Sequence, residues 1–540
     1  MIFLKKNIGY LKSKKKYLLI RLYWEQLKTK FYSSNFLKLK KKINQKIKKN
    51  KLAKQNILIC TFSGTNYLIK MIDILFYVSL KLKGCNVYIL KCSKFLDLCQ
   101  ISNYTYFKDK ELVKNQLKLC DFCEKGFDID FKDNFFKKII LTRDHSDDVK
   151  IIHKKKILRN AKMSESLFDE VINSAIIRFF GNGSLNIKSH KIKKIRESYI
   201  LSGLRFINTF QKIIKKYEIN KIINHHGIYL PHGFIFNLAK NYKINYYTWH
   251  QAYRKNSISI YKNDNQHNFY QNLTRWDNFK FTNNKKLKIK NYLKSRFTGE
   301  EDWVKFQPST YKKKNKINSK ETYFLATNVS WDAQIHFENN FFQNMEDFII
   351  FTIKYFKSHP DKNLIIRCHP GELLGQVPSS KNISDFIKEK FINLPKNISI
   401  ISSKSNINTY QVANNSDVII VYASKISIEF ASLGKPVICC GEAWIKNKGI
   451  TFDPINRKEY LSFLNSKINV LQKIAKKRKN QGLKFAYYFF FKRTFFIKYI
   501  KKHIFPSYKM DLKNLIKITD RDKNLEVIVN SIINNKDVIK

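Results

Sequence analysis

His369, Pro370, Gly371 and Glu372 follow an apolar run that ends at Cys368, and Arg367 stands two residues before the histidine. A histidine at the carboxyl end of a strand, beside a proline that fixes the turn, can donate a hydrogen bond to a phosphate or leaving-group oxygen. Side chains alternate along a strand, so Arg367 and His369 share a face and could reach the same anion. Further on, a second run leads into Val421-Tyr422-Ala423-Ser424-Lys425-Ile426-Ser427-Ile428-Glu429. Ser424 stands where a helix should begin, and helix N-termini offer unpaired amides and partial positive charge to an anion. The expected binding set is therefore Arg367, Glu372, Ser424, Lys425, Ser427 and Glu429. Ser424 and the amides after it would hold a diphosphate, and Glu429 would accept from ribose hydroxyls. His369 is the expected catalytic donor to the departing phosphate. Each motif alone fits an ordinary turn or helix cap; their succession is what points to one anion site.

A group that takes a proton from an acceptor hydroxyl is sought in the first half. His225, His226 and His250 all fall at the carboxyl ends of expected strands, and an imidazole with a pKa near ~6.5 suits that task at neutral pH. His226 is the leading imidazole and Asp332, after the strand at Tyr323–Thr327, the leading carboxylate. Asp264 and His267 are further rivals.

These residues need elements to hold them. From Asn56 the pattern reads strand (Ile57 to Phe62), helix (to Leu82) and strand (Val87 to Leu90), with an echo at Lys221 to Asn224, Leu230 to Asn241 and Ile244 to Trp249. Residues 100–200 resist parsing. Beyond a lysine-rich stretch without periodicity, strands are expected at Tyr323–Thr327, Leu364–Cys368, Ile398–Ile401, Val418–Tyr422 and Val437–Cys440, with helices such as Met345–Phe356 and Ser424–Leu433 between them. Short apolar runs alternating with helices mean a parallel sheet covered on both faces, and ligands of such sheets bind beyond the carboxyl ends of the strands. The fold class is thus α/β, with two Rossmann-like parallel-sheet domains facing a cleft. The expected division is a basic segment 1–54, a first Rossmann-like domain 55–306, a linker 307–320, a second Rossmann-like domain 321–475 and a C-terminal helical segment 476–540.

The stretches TNVSWDAQIHFENNFF, LIIRCHPGE, VYASKISIEFASLGKPVICCGEAWIKNKG and LKFAYYFFFKR, with INHHGIYLPHGFIFNLAKNYKINYYTWHQAYRK before them, resemble the capsule and surface polysaccharide biosynthesis family. That resemblance implies a GT-B glycosyltransferase-like fold and a nucleotide-activated sugar donor, with 55–306 as the acceptor domain and 321–475 as the nucleotide-sugar-binding domain. It implies a donor-phosphate role for His369 and a nucleotide role for Ser424 and Glu429. Similar sequences often carry glycine where this chain has Ala423, so the first turn bears a Cβ near the expected phosphate.

Composition sets bounds. At 540 residues the chain exceeds what one core supports. The net charge of +60 is mostly lysine spread through an Ile-, Asn- and Phe-rich chain, the usage of an AT-rich coding sequence, so no nucleic-acid partner is expected from it. Residues 1–54 hold a single acid, Glu25, among many lysines and could lie on an anionic membrane surface. No run approaches the ~18–20 apolar residues of a membrane span, and no signal peptide opens the sequence, so the expected location is the cytoplasm or the inner face of the cytoplasmic membrane. Nine unevenly spaced cysteines do not form a disulfide framework. Cys92, Cys99, Cys120 and Cys123 could ligate zinc, yet their spacing matches no compact zinc module. Asp128-Ile129-Asp130 spells a D-x-D metal motif and is set aside as an isolated tripeptide. No metal or cofactor is expected.

The function expected is metal-independent transfer of a sugar from a nucleotide sugar to a glycan or lipid-linked acceptor of a bacterial surface polysaccharide. The rivals are transfer of a polyol phosphate from a CDP-activated donor, separable by product analysis, and a non-catalytic polyanion-binding protein, separable by steep salt dependence without nucleotide-sugar binding.

Overall fold

The computed structural model describes residues 55–64, 66–102, 112–131, 136–145, 149–183, 185, 189–265, 276–306, 320–332, 341–374, 377–498, 500–502, 508–510 and 522–540. The N-terminal basic segment and His267 lie outside them.

Two sheets organise the chain, and the apolar runs of the sequence are their strands. In the first, β1 (Asn56–Thr61), β2 (Asn86–Cys92), β3 (Lys138–Leu141), β4 (Lys221–His225) and β5 (Asn245–Gln251) are parallel, in the order β5-β4-β1-β2-β3. Antiparallel β6 (Ser257–Lys262) extends it beside β5. The second sheet is wholly parallel. It runs β11-β10-β7-β8-β9, with β7 (Glu321–Ala326), β8 (Lys362–Arg367), β9 (Ile398–Ile401), β10 (Val418–Val421) and β11 (Val437–Cys439). Both sheets repeat one winding. The chain goes outward through three strands and then returns to the other side of the first, which leaves a crevice at the carboxyl ends of β1 and β4 and of β7 and β10.

Helices cover both faces of each sheet, as near-complete burial of β1 and β10 requires. Those used below are α1 (Tyr67–Leu82), α2 (Leu112–Phe131), α3 (Glu165–Phe180), α4 (His190–Lys216), α5 (His232–Asn241), α6 (Asn283–Ser295), α7 (Met345–Lys357), α8 (Ile426–Leu433), α9 (Ile468–Tyr487) and α10 (Lys523–Ile533). Residues 100–200, opaque in the sequence, supply α2, β3, α3 and the first turns of α4. The D-x-D tripeptide falls inside α2, with no strand end to present it.

The chain beyond the second sheet departs from a simple helical appendage. α9 lies on α8 so closely that Ser432 Oγ donates to Gly482 O at 2.8 Å, and a Cβ on Gly482 would press on the Ala431 carbonyl. The aromatic cluster Phe485 to Phe491 is buried in the core beneath it. The chain then returns to the first domain, where β12 (Thr494–Phe496) pairs antiparallel with β6 and α10 packs on α1. An unpaired edge beside β6 would leave a row of backbone groups exposed, and β12 covers it. No helix among the described residues is long and apolar enough to cross a membrane.

Candidate functional site

At the crevice of the second sheet, facing the first domain, lies a cavity of about 330 Å³. Its floor is the ends of β7, β8 and β10: Thr327 to Val329, Arg367 with His369, and Ala423 to Ile426. The first domain closes it with Gln251 to Tyr253 and with the segment Asp302 to Phe306. Asn328 ties the two strands that flank the crevice, because its Oδ1 accepts from Ala423 N–H at 3.1 Å.

His369 lines this cavity with a defined tautomer. Gly371 N–H donates to His369 Nδ1 at 2.9 Å, so Nδ1 is the acceptor nitrogen and Nε2 carries the proton. Gly371 permits the approach, since a Cβ there would meet the ring. The histidine's own N–H donates to Thr327 Oγ1 at 3.1 Å, and Phe306 of the first domain packs edge-on against the ring. Burial, and then the Arg367 guanidinium, push its pKa down to about 4. His369 is therefore a neutral donor at physiological pH.

The other expected binding residues divide. Ser424 and Lys425 line the cavity just before α8; Lys425 rather than the expected Ser424 stands at the N-cap, without a side-chain cap bond, and the Ser427 and Ile428 amides donate to Ser424 O at 3.1 Å and Lys425 O at 3.0 Å. Lys425 Nζ lies 3.3 Å from Glu429 Oε1 and over the Tyr253 ring at 4.9 Å, so it spans the two domains. Arg367 also lines the cavity, but its guanidinium is committed to the loop after β9. It donates to Thr409 Oγ1 at 3.1 Å, to Ser402 O and to Ser405 O at 3.2 Å. Ser427 turns inward, its hydroxyl donating to Ser424 O at 2.7 Å. Glu372 is fully buried behind the His-Pro turn, where Oε1 accepts from Ile383 N–H at 2.9 Å and Oε2 is without a partner. Burial raises its pKa to about 7.

Glu429 is 1 % exposed and does not line the cavity. Its carboxylate accepts from Arg296 Nε at 2.7 Å and from Tyr410 Oη at 2.6 Å, and Arg296 also pairs with Asp302. Burial works against the Arg296 charge, yet Glu429 and its neighbours hold the guanidinium above its ordinary pKa. The ribose contact expected of Glu429 is thus occupied by an arginine, and Arg296, Asp302 and Tyr410 form the wall in its place. None of these three was legible in the sequence. Arg296 is one of 102 basic residues, and only the packing of the end of α6 against α8 singles it out.

Of the candidate bases, Asp332 lines the cavity and His226 does not. Trp331, beside Asp332, takes the Arg178 guanidinium over its ring, and Arg178 also covers Tyr229, which packs on His226. His226 thus sits one layer behind the cleft. Its nitrogens are both engaged: Ile228 N–H donates to Nδ1 at 3.1 Å, and Nε2 donates to Gln100 Oε1 at 2.7 Å. Gln100 in turn donates to His232 Nε2 at 2.9 Å, while His232 Nδ1 bonds to Asn224 Oδ1. The ligand atoms of His225, His226 and His232 lie within 4.8 Å of one another. A metal, however, needs a nitrogen lone pair, and that of His226 is already taken by Ile228. The same accounting excludes His250 as a base, with Nδ1 donating to Gln251 O and Nε2 accepting from Tyr261 Oη. Burial lowers its pKa to about 4. Asp264, away from the cavity, is raised to about 6 by burial.

Residues 222–481 match the family model described as capsule polysaccharide biosynthesis protein. No curated protein matches the chain by sequence. Among solved structures, the chain is similar to the beta Kdo 2,4 transferase of KpsC from Thermosulfurimonas dismutans, at 13 % identity over 56 % of this chain and 87 % of that one, TM-score 0.38. The beta Kdo 2,7 transferase of the same KpsC gives 14 %, 58 %, 90 % and 0.33. The UDP-GlcNAc 2-epimerase of Neisseria meningitidis, bound to UDP-GlcNAc, gives 11 %, 80 %, 97 % and 0.24.

Proposed function

From the premise that residues 222–481 are of the capsule polysaccharide biosynthesis family, we propose that the chain transfers a glycosyl group from a nucleotide sugar to a glycan or lipid-linked acceptor. One observation carries this reading. His369 enters a cavity at the crevice of a doubly wound sheet as a neutral imidazole with its proton on Nε2, and Ser424 and Lys425, just before α8, line the same cavity.

A departing nucleoside diphosphate or monophosphate gains charge as the glycosidic bond breaks. Nε2–H, the Lys425 ammonium and the positive end of the α8 dipole are in place before that charge develops, so the site does not reorganise when it appears. Asp332, on the cavity wall towards the first domain, is the carboxylate suited to take the acceptor hydroxyl's proton. No step in this scheme calls for a divalent cation.

The test is a thermal-shift series with CMP-, UDP-, GDP- and CDP-linked compounds, followed by product analysis with the nucleotide that binds. A ligand at about 100 times its Kd adds about 2.7 kcal/mol of stability. Release of nucleotide with a sugar added to the acceptor supports glycosyl transfer. Transfer of a polyol phosphate from a CDP donor, or no nucleotide binding together with steeply salt-dependent polyanion binding, overturns it.

A further inference from the structure

α6 and α9 pack on each other and together carry ten lysines and one arginine, with no aspartate or glutamate. Where they meet, aromatic rings come to the surface. Phe279, just before α6, lies 6.0 Å from Tyr487 at the end of α9, and Tyr487 stacks on Phe491 at 5.3 Å. Phe279 and Tyr487 are only partly buried.

Cations gather on these rings. The ammonium groups of Lys492, Lys484 and Lys285 lie 4.9, 5.3 and 5.5 Å from the centroid of Phe279, while Arg254 and Lys288 lie 4.2 and 4.9 Å from that of Phe491. A ring face attracts a cation, but several cations about one ring also repel one another. Burial first, and then Lys285 and Arg493, lower the pKa of Lys492. Lys285 Nζ donates to the Lys280 carbonyl at 2.6 Å, yet no carboxylate among the described residues pairs with Lys285, Lys288, Lys484 or Lys492. Elsewhere on the surface lysines do meet acids, as Lys94 meets Asp121 at 2.6 Å and Lys381 meets Glu389 at 2.5 Å. The unneutralised lysines are thus concentrated on half-exposed aromatic rings. Such a face complements a partner that offers anionic groups above an apolar layer.

We propose that α6 and the end of α9 form a docking surface for an anionic lipid bilayer, with Lys285, Lys484 and Lys492 on the headgroup phosphates and Phe279 and Tyr487 at the edge of the acyl layer. Lysines near such a surface are drawn to its negative potential, and aromatic rings settle at the boundary between headgroups and chains. Leu287, beside Lys288 on α6, is 59 % exposed and adds apolar area. At 13 residues α6 is about 20 Å long, an extent that suits an extended layer of charges better than one small anion. Arg254 follows Tyr253, which lines the cavity, so a docked bilayer would lie close to that wall of the candidate site. This inference does not depend on the proposed transfer activity.

The full chain is sedimented with sucrose-loaded vesicles of phosphatidylcholine alone, and of phosphatidylcholine mixed equally with phosphatidylglycerol. It should pellet with the mixed vesicles only. The triple variant Lys285→Gln, Lys484→Gln, Lys492→Gln should partition roughly 100-fold less. The control variant Lys388→Gln, Lys390→Gln, Lys396→Gln removes three exposed lysines outside the patch and should stay within about threefold of wild type. Should the first variant unfold, hydrogen exchange of the wild-type chain decides instead, slowed over residues 279–294 when mixed vesicles are added. Failure of the wild-type chain to bind the mixed vesicles overturns the proposal. So does a folded triple variant that partitions as wild type, an equal loss in the control, exchange unchanged over 279–294, or binding of poly(dT) without binding of vesicles.

Discussion

Glu429 Oε1 lies 2.7 Å from Arg296 Nε, with both side chains almost wholly buried, so a carboxylate of the second domain is neutralised by an arginine that follows α6. Removing one partner of a buried pair leaves an uncompensated charge and typically costs about 3–5 kcal/mol. Glu429→Ala should therefore lower the urea midpoint substantially, beyond any loss of nucleotide affinity. The double variant with Arg296→Met should be less destabilised than the sum of the single changes, by equilibrium unfolding. Additive effects would show that the pair contributes nothing and would return Glu429 to a ligand role.

His369→Ala should leave unfolding unchanged to within about 1 kcal/mol, and lower kcat by roughly 10²–10³, the usual loss for one preorganised donor. His369→Asn or Gln, which keeps an N–H donor, should recover part of that loss. Steady-state kinetics with the nucleotide sugar that binds decide this. If Asn and Gln are no better than Ala, the ring does not act as a donor.

Asp332→Asn should abolish turnover while nucleotide affinity, read by calorimetry, stays near wild type. His226→Asn should retain turnover, because both nitrogens of His226 are already engaged with Ile228 and Gln100. The opposite pattern would move the base into the first domain.

The pH dependence of stability has two opposed parts. Glu372 titrates near 7 when folded, above the unfolded carboxyl at about 4.3, because burial disfavours its charge. The folded chain then binds the extra proton, so this stability is fully present below about 4.3 and is lost as pH rises through 7. Glu372→Gln should flatten the fall in melting temperature across that window. His369, at about 4 folded against about 6.5 unfolded, acts the other way: its neutral form stabilises above 6.5, and that contribution is lost as pH falls from 6.5 towards 4. His369→Gln should remove that acid-side slope, as read by melting temperature against pH.

If the proposed scheme holds, with Nε2–H of His369 and the Lys425 ammonium stabilising the leaving phosphate, millimolar Mg²⁺ or Mn²⁺ added to metal-free buffer should change kcat by less than about twofold. Strict dependence on either ion would require a carboxylate pair at the cavity and would reassign Asp302 and Asp332.

The sequence by itself determined the strands and the crevice they make. Apolar runs such as Val418–Val421 can be satisfied only in a doubly covered parallel sheet, and chain order then brings the ends of β7, β8 and β10 together. For the same local reason the His-Pro turn was legible, and the helix start to within two residues of Ser424, since each depends on neighbouring residues alone. What a buried polar side chain meets is decided by partners far along the chain. Glu429 finds Arg296, 133 positions away, and Arg367 finds the carbonyls of Ser402 and Ser405. His226 finds Gln100, 126 positions away. A burial cost of several kcal/mol forces each of these groups to take whatever partner the packing supplies, and no local pattern records which one that will be.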